Sequence, residues 1–482
     1  DALPDVQGWL DWRQARGAAA QGGLSALLAP IEQGELPADE VADSFEHSYA
    51  RWFTQFVVDA EPALLRFRRA TFEHTLAEFA KADKQVMDAA QAHLIAKLAK
   101  EVPQVGTYVN DNSEVGILLR QTQRQRGHLP LRSLFAQIPR LLGKLKPVLL
   151  MSPLSVAQYL DPKHPPFDLV VFDEASQIPV WDAIGAMARG SSVVIVGDPR
   201  QLPPTSFFER AEADDEPADD EEVRDLESIL DDCQAAQIGQ HHLNWHYRSR
   251  HESLITFSNH RYYDRRLVTF PSPDRDSAVS FRFVGGTYDR GGERTNQAEA
   301  EAIVTEIEER LADPLRQHQS LGVVTFNMAQ QRLIEDLLEM RSGSNSVLDA
   351  ALDPEREEPL FVKNLENVQG DERDVILFSI CFGPDSEGRV AMNFGPLNKA
   401  GGARRLNVAV TRSRRETMIF ASLRAEDIDL GRVSKEGGVG DLKAYLDFAE
   451  RGLGALTGGT TSDGTAASEQ SIEQALAEAL RA

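Results

Sequence analysis

Apolar positions along the chain change their spacing near residue 112. Before it, alanine is frequent and apolar residues recur at helical intervals. Leu65, Phe72, Phe79 and Val86 lie seven residues apart, and Leu76 and Ala90 follow two of them by four. This spacing predicts helices with a heptad-like seam, arranged as a hairpin or coiled-coil stalk. Glu61-Pro62 predicts the opening of the second helix of that hairpin, because proline is tolerated in a first turn.

After residue 147 short apolar runs alternate with helix-length segments. The runs are VLLM (148–151), DLVVF (168–172), SVVIVG (192–197), LGVVTF (321–326), DVILFSI (374–380) and TMIFAS (417–422). Continuous apolar runs suit parallel strands buried on both faces. Segments 296–312 and 328–340 read as helices between them. The predicted class is α/β with doubly wound parallel sheets. Residues 457–469 read as a Gly/Ser/Thr linker, followed by an amphipathic helix with Ile472, Leu476 and Leu480 on one side.

Composition narrows the function classes. The chain has 482 residues, 51 Lys+Arg against 75 Asp+Glu, and a net charge of −24. That charge is uneven: residues 209–232 hold thirteen acids and two bases, whereas 120–146 holds seven bases and 399–415 six, both without an acid. The acid-rich stretch 211–222 reads as a mobile surface loop. The basic stretches leave phosphate binding open despite the negative total. No run of eighteen apolar residues occurs, which rules out a spanning helix. Cys233 and Cys381 allow at most one bridge, which fits a reducing compartment and a cytoplasmic location.

Two strand ends carry candidate chemistry. DLVVFDEASQ ends an apolar run in Asp173 and Glu174. Ligands of open α/β sheets bind at such carboxyl ends. Asp173 suits Mg²⁺ against nucleotide phosphates, and Glu174 suits the orientation and deprotonation of a water. In VVIVGDPRQLPP, Gly197 permits close backbone approach and Gln201 can bond both a phosphate oxygen and a water. Farther on, HYRS contains Arg248, NVQGDERDV contains Gln369, Gly370 and Glu372, and LNVAVTRSRR contains Arg412. Two arginines reaching across a cleft can neutralise developing phosphate charge.

In this order, DEASQ, GDPRQLPP, HYRS, QGDERD and NVAVTRSR resemble the motifs of superfamily 1 helicases, most closely the B branch that includes senataxin. The resemblance implies RecA-like parallel-sheet helicase domains, one complete and one partial. It implies a helical insertion at 1–112, a partial first domain at 113–238, a second domain at 239–456, and a linker with the start of a truncated nuclease-like domain at 457–482. By the same resemblance Asp173 holds Mg²⁺, Glu174 activates water, Gln201 senses the γ-phosphate of ATP, and Arg248 and Arg412 are arginine fingers. Glu372 contacts the ribose, and Gln369-Gly370 couples nucleotide to strand. Ser152, Pro153, Thr325 and Thr411 are candidate contacts to the nucleic-acid backbone. Where some relatives carry an aromatic residue after Thr325-Phe326, this chain has Asn327.

One expected element is missing. A P-loop reads G-x-x-x-x-G-K-[ST], and no lysine here is followed by Ser or Thr. In similar proteins the P-loop precedes the helical insertion, so the sequence reads as the C-terminal portion of a larger bacterial helicase. The function implied is an ATP-dependent 5′–3′ helicase or translocase on single-stranded nucleic acid, DNA favoured over RNA, with no membrane partner. The alternative is a non-catalytic nucleic-acid-binding scaffold with a degenerate nucleotide site. The sequence leaves the oligomeric state open.

Overall fold

The computed structural model describes residues 3–37, 39–104, 109–204, 227–272, 277–434 and 437–457. The acidic stretch 211–222 and nearly all of the C-terminal linker and helix lie outside the described residues.

Residues up to Val109 form one unit, and it is helical. Its longer helices are Leu3–Gln21, Val41–Ala60 and Arg69–Ala99. Phe45, Tyr49, Trp52 and Phe56 form a row along the second, with ring centroids 5.9, 5.8 and 5.7 Å apart in turn. The seam residues Leu65, Phe72, Phe79 and Val86 are all more than half exposed, and only Leu28 is buried among the described residues of this unit. Glu61-Pro62 opens a helix, as its composition predicts, with the Glu61 carboxylate accepting the Ala63 N–H at 3.2 Å. That helix ends after one turn at Leu65. Arg68 is extended, and the long helix starts only at Arg69.

Residues from Asn110 onward form the second unit, which contains two α/β lobes. In the first lobe, β1 (Val170–Phe172) pairs in parallel with β2 (Val193–Ile195). Phe172 packs with Ala183 of helix Val180–Met187 and with Ile229 and Leu230 of helix Ile229–Ala235. On the other face Val171 and Val194 are 55% and 45% exposed. The run 148–151, expected as a strand, forms none: it has no strand partner among the described residues, and Leu150 is 95% exposed. It leads directly into Ser152, which caps helix Pro153–Tyr159 by accepting the Ser155 N–H at 3.2 Å.

The second lobe is a five-stranded sheet, parallel throughout, in the order β3 (Val279–Phe283), β7 (Ser413–Ala421), β6 (Arg373–Ser379), β4 (Leu321–Thr325), β5 (Phe361–Asn364). The three strands read from the apolar runs are its centre. Alternation along β6 sends Ile376 and Phe378 into one core and Val375 and Leu377 into the other. The edge strands β3 and β5 escape a search for apolar runs, because β3 alternates apolar with polar residues and β5 has only two apolar residues before Lys363 and Asn364.

A buried carboxylate joins the carboxyl ends of the central strands. Asn296 caps helix Gln297–Ala312. In the first turn of that helix, Glu299 is fully buried. Its carboxylate accepts from Cys381 N (2.7 Å), Ser379 Oγ (3.0 Å), Ser422 Oγ (2.9 Å) and Asn296 Nδ2 (3.1 Å). Four donors satisfy it, yet burial still raises its pKa from 4.5 to about 7.

The folded state therefore holds a proton between about pH 4.5 and 7 that the unfolded chain releases. This group's contribution to stability is largest at acid pH and falls as pH rises through that window. Glu299→Gln places an amide N–H against donors, and the loss is expected to be about 1–3 kcal/mol. Urea unfolding should show a larger loss at pH 5 than at pH 8; a pH-independent loss would remove Glu299 as the titrating group.

Candidate active site

The loops after β1 and β2 face the second lobe. After β1, Asp173 and Glu174 are exposed and Ala175 is buried. Glu174 has φ 51° and ψ 41°, a left-handed conformation costly for a residue with a Cβ. Its N–H is held by Asp173 Oδ1 at 3.0 Å. Gly197, after β2, lies so close to this turn that a Cβ there would stand 3.0 Å from Ser176 N and 3.2 Å from Ala175 N. Only glycine lets the two loops meet this way.

Gln201 is oriented by its own loop. Its Nε2 donates to Asp198 Oδ2 at 3.1 Å, and Asp198 Oδ1 accepts the Arg200 N–H at 2.9 Å. The next residue, Leu202, is 5% exposed and belongs to the hydrophobic core of the second lobe.

From the second lobe, Gln369 Nε2 donates to Glu174 Oε2 at 3.2 Å and comes within 3.5 Å of Gln201 Oε1. Gly370 follows with φ 90°, which disfavours any side chain. Thus three of the residues singled out by sequence meet directly. Arg412 is 3% exposed and donates from Nε to Val408 O at 2.7 Å. Burial, and next the neighbouring Arg248, lower its pKa to about 10, with Glu174 acting in the opposite sense; it stays a cation at neutral pH. Arg248 Nε pairs with Glu372 at 2.7 Å. Glu372 also lies 3.7 Å from Arg414, which is bidentate to Glu358 at 2.8 and 2.6 Å.

His246, absent from the residues singled out by sequence, braces the loop of Arg248. Its Nε2 accepts the Ser249 N–H at 3.2 Å, so the imidazole is neutral at that nitrogen. Burial, with Arg248 next, pushes its pKa down to about 4.

The nucleic-acid candidates divide. Ser152 is exposed and Pro153 half-buried, at the start of a helix. Thr325 is fully buried and donates to Asn327 O at 3.0 Å; Thr411 is buried and donates to Asn407 O at 3.0 Å. Both hydroxyls are turned onto backbone carbonyls rather than toward solvent. Asn327 caps helix Met328–Ser342 by accepting the Gln330 N–H at 2.7 Å, a role no aromatic residue fills.

Asp173 fits Mg²⁺. Among the described residues no three metal-binding side chains cluster, and Mg²⁺ commonly takes one or two protein carboxylates with the remaining ligands from phosphates and water. When bound, the ion would neutralise phosphate charge.

Residues 150–209 match one AAA domain family and residues 226–424 match another. An uncharacterized ATP-dependent helicase of Mycoplasma genitalium, MG140, is 36% identical over 323 residues, covering 64% of this chain and 28% of the relative. The probable helicase senataxin of Homo sapiens is 23% identical over 273 residues, covering 54% of this chain and 10% of that protein. Among solved structures, the PRRSV helicase is similar at 13% identity and a TM-score of 0.26, covering 53% of this chain and 35% of that one. The chain spans under a third of the length of MG140 and a tenth of senataxin. Its ordered motifs and these sequence matches support a superfamily 1 helicase of the senataxin-like branch.

Proposed function

We propose that these residues form most of the motor of an ATP-dependent helicase that moves 5′ to 3′ on single-stranded nucleic acid, DNA favoured over RNA. The P-loop of that motor is supplied by sequence outside these 482 residues. The observation that carries the reading is the meeting of Gln369 with Glu174 and Gln201 across the lobes, beside a buried, charged Arg412. Glu174 accepts the proton of the attacking water, and Gln201 orients that water against the γ-phosphate. Arg412 and Arg248 offset the charge that develops on the transferred group. Arg248 must leave Glu372 to do so, which frees that carboxylate for the ribose hydroxyls. Ser152 and Pro153, at the surface, are the stronger of the four proposed strand contacts.

The test is ATP hydrolysis. These 482 residues alone should hydrolyse ATP negligibly, since nothing cradles the β- and γ-phosphates. A longer protein carrying a P-loop should turn over, and Arg412→Ala in it should lower kcat by about 10³ or more. Glu174→Gln should abolish turnover while ATP still binds. Robust hydrolysis by the 482 residues, lost in Glu174→Gln, would overturn the P-loop argument. A longer protein that binds strands without hydrolysing ATP would favour a scaffold.

Strand binding gives an independent check. Single-strand affinity should fall with salt at a slope of about 0.7 per phosphate contact. Salt-independent, base-specific duplex binding would contradict the reading. Comparing DNA with RNA of the same sequence decides the preferred strand.

A further inference from the structure

Tyr263 occupies a position that no motif accounts for. It follows helix Ser253–Arg261 in the second lobe, and its hydroxyl donates to Asp198 Oδ2 of the first lobe at 2.7 Å. The Tyr263 hydroxyl oxygen in turn accepts from Asn407 Nδ2 at 2.9 Å. Asn407 Nδ2 uses its second hydrogen on Arg200 O, also at 2.9 Å. One phenol and one amide therefore tie the Asp198–Gln201 loop to helix Gly402–Val410. Each end of this link touches the candidate chemistry. Asp198 Oδ2 is also the acceptor that orients Gln201. The helix carrying Asn407 leads to Arg412, whose Nε is anchored on that helix at Val408 O.

Two further observations separate this arrangement from ordinary packing. The neighbouring Tyr262 packs against the second-lobe core and bonds Asp441 at 3.1 Å. Tyr263 belongs to none of the hydrophobic clusters of the described residues. Asn407 is 1% exposed, and its Oδ1 has no hydrogen-bond partner among the described residues. An unsatisfied buried acceptor is costly. A residue chosen for the core alone would avoid that cost; this one directs one amide hydrogen across the lobes to Arg200 O and the other to the Tyr263 hydroxyl that crosses with it. Burial and the adjacent carboxylate keep the Tyr263 phenol protonated, so it stays a donor.

We propose that Tyr263 is a positioning residue that latches the Asp198 loop to helix Gly402–Val410, so that Gln201 and Arg412 move as one set when the lobes close. The latch itself stands on this geometry, whereas its effect on turnover rests on the nucleotide-hydrolysis reading above.

Hydrogen exchange on the 482-residue chain tests the latch directly. Removing one charge-assisted hydrogen bond with Tyr263→Phe should speed exchange of the Arg200 and Gln201 amides about tenfold. Amides of β6 should be unchanged. With Asp198→Ala the two effects should not add, because both remove the same bond. Unchanged exchange at Arg200 and Gln201, or faster exchange throughout β6, overturns the latch. In a longer, ATP-hydrolysing protein, Tyr263→Phe should lower kcat about tenfold with KM for ATP unchanged. A raised KM with unchanged kcat overturns the coupling. Absence of hydrolysis in the unsubstituted longer protein refutes the nucleotide reading instead, and the exchange result alone then decides the latch.

Discussion

Leu202 leaves a loop of the first lobe and is buried in the hydrophobic core of the second. Full burial of a leucine side chain contributes about 2 kcal/mol. The two sheets share no strand, so this insertion anchors one to the other. It also decides where Gln201 sits, because the two residues are adjacent. Pro203 and Pro204, both buried, fix the backbone that follows. A non-directional force thus seats a directional group: burying the leucine brings the Gln201 carboxamide within reach of Gln369.

The two arginines of the cleft are held in different ways. Arg412 is buried, with its Nε on a backbone carbonyl. A buried cation is costly unless charge or dipoles compensate it, and here Glu174 and Glu372 supply that field from a distance. Its position is fixed before any ligand arrives. Arg248 is more than a third exposed and tethered to a carboxylate that is equally exposed. Such a pair contributes about 0–1 kcal/mol, so a phosphate can displace it easily. One cation is preorganised and the other is exchangeable, although both come from similar Arg-containing motifs.

Sequence patterning revealed whatever depended on local runs. β4, β6 and β7 are buried on both faces and therefore show as continuous apolar stretches. β3 and β5 lie at the sheet edges, and their apolar residues are too few and too interrupted to stand out. The run 148–151 has strand composition, but composition cannot supply a pairing partner, and without one Leu150 stays in water. The motifs singled out Glu174, Gln201 and Gln369, and these three side chains meet in the structure. The supporting residues were invisible because their partners are remote. Tyr263 lies 65 residues from Asp198, and Asn407 lies 207 from Arg200. The helix cap at Asn327 was accessible in principle, since asparagine just before a helical pattern is a common N-cap.

The open face of the β1–β2 pair has a bearing on how the cleft breathes. A parallel sheet ordinarily gains from cover on both sides, yet Val171 and Val194 are about half in contact with solvent. The opposite wall of the cleft is a five-stranded sheet enclosed by two cores. Cooperative opening units follow such differences in buried apolar contact. The wall bearing Asp173 and Glu174 is therefore the less protected of the two, and excursions from the folded state begin there. Whatever covers that face would stiffen the wall holding the two carboxylates, so the rigidity of that half of the site depends on a surface remote from the cleft.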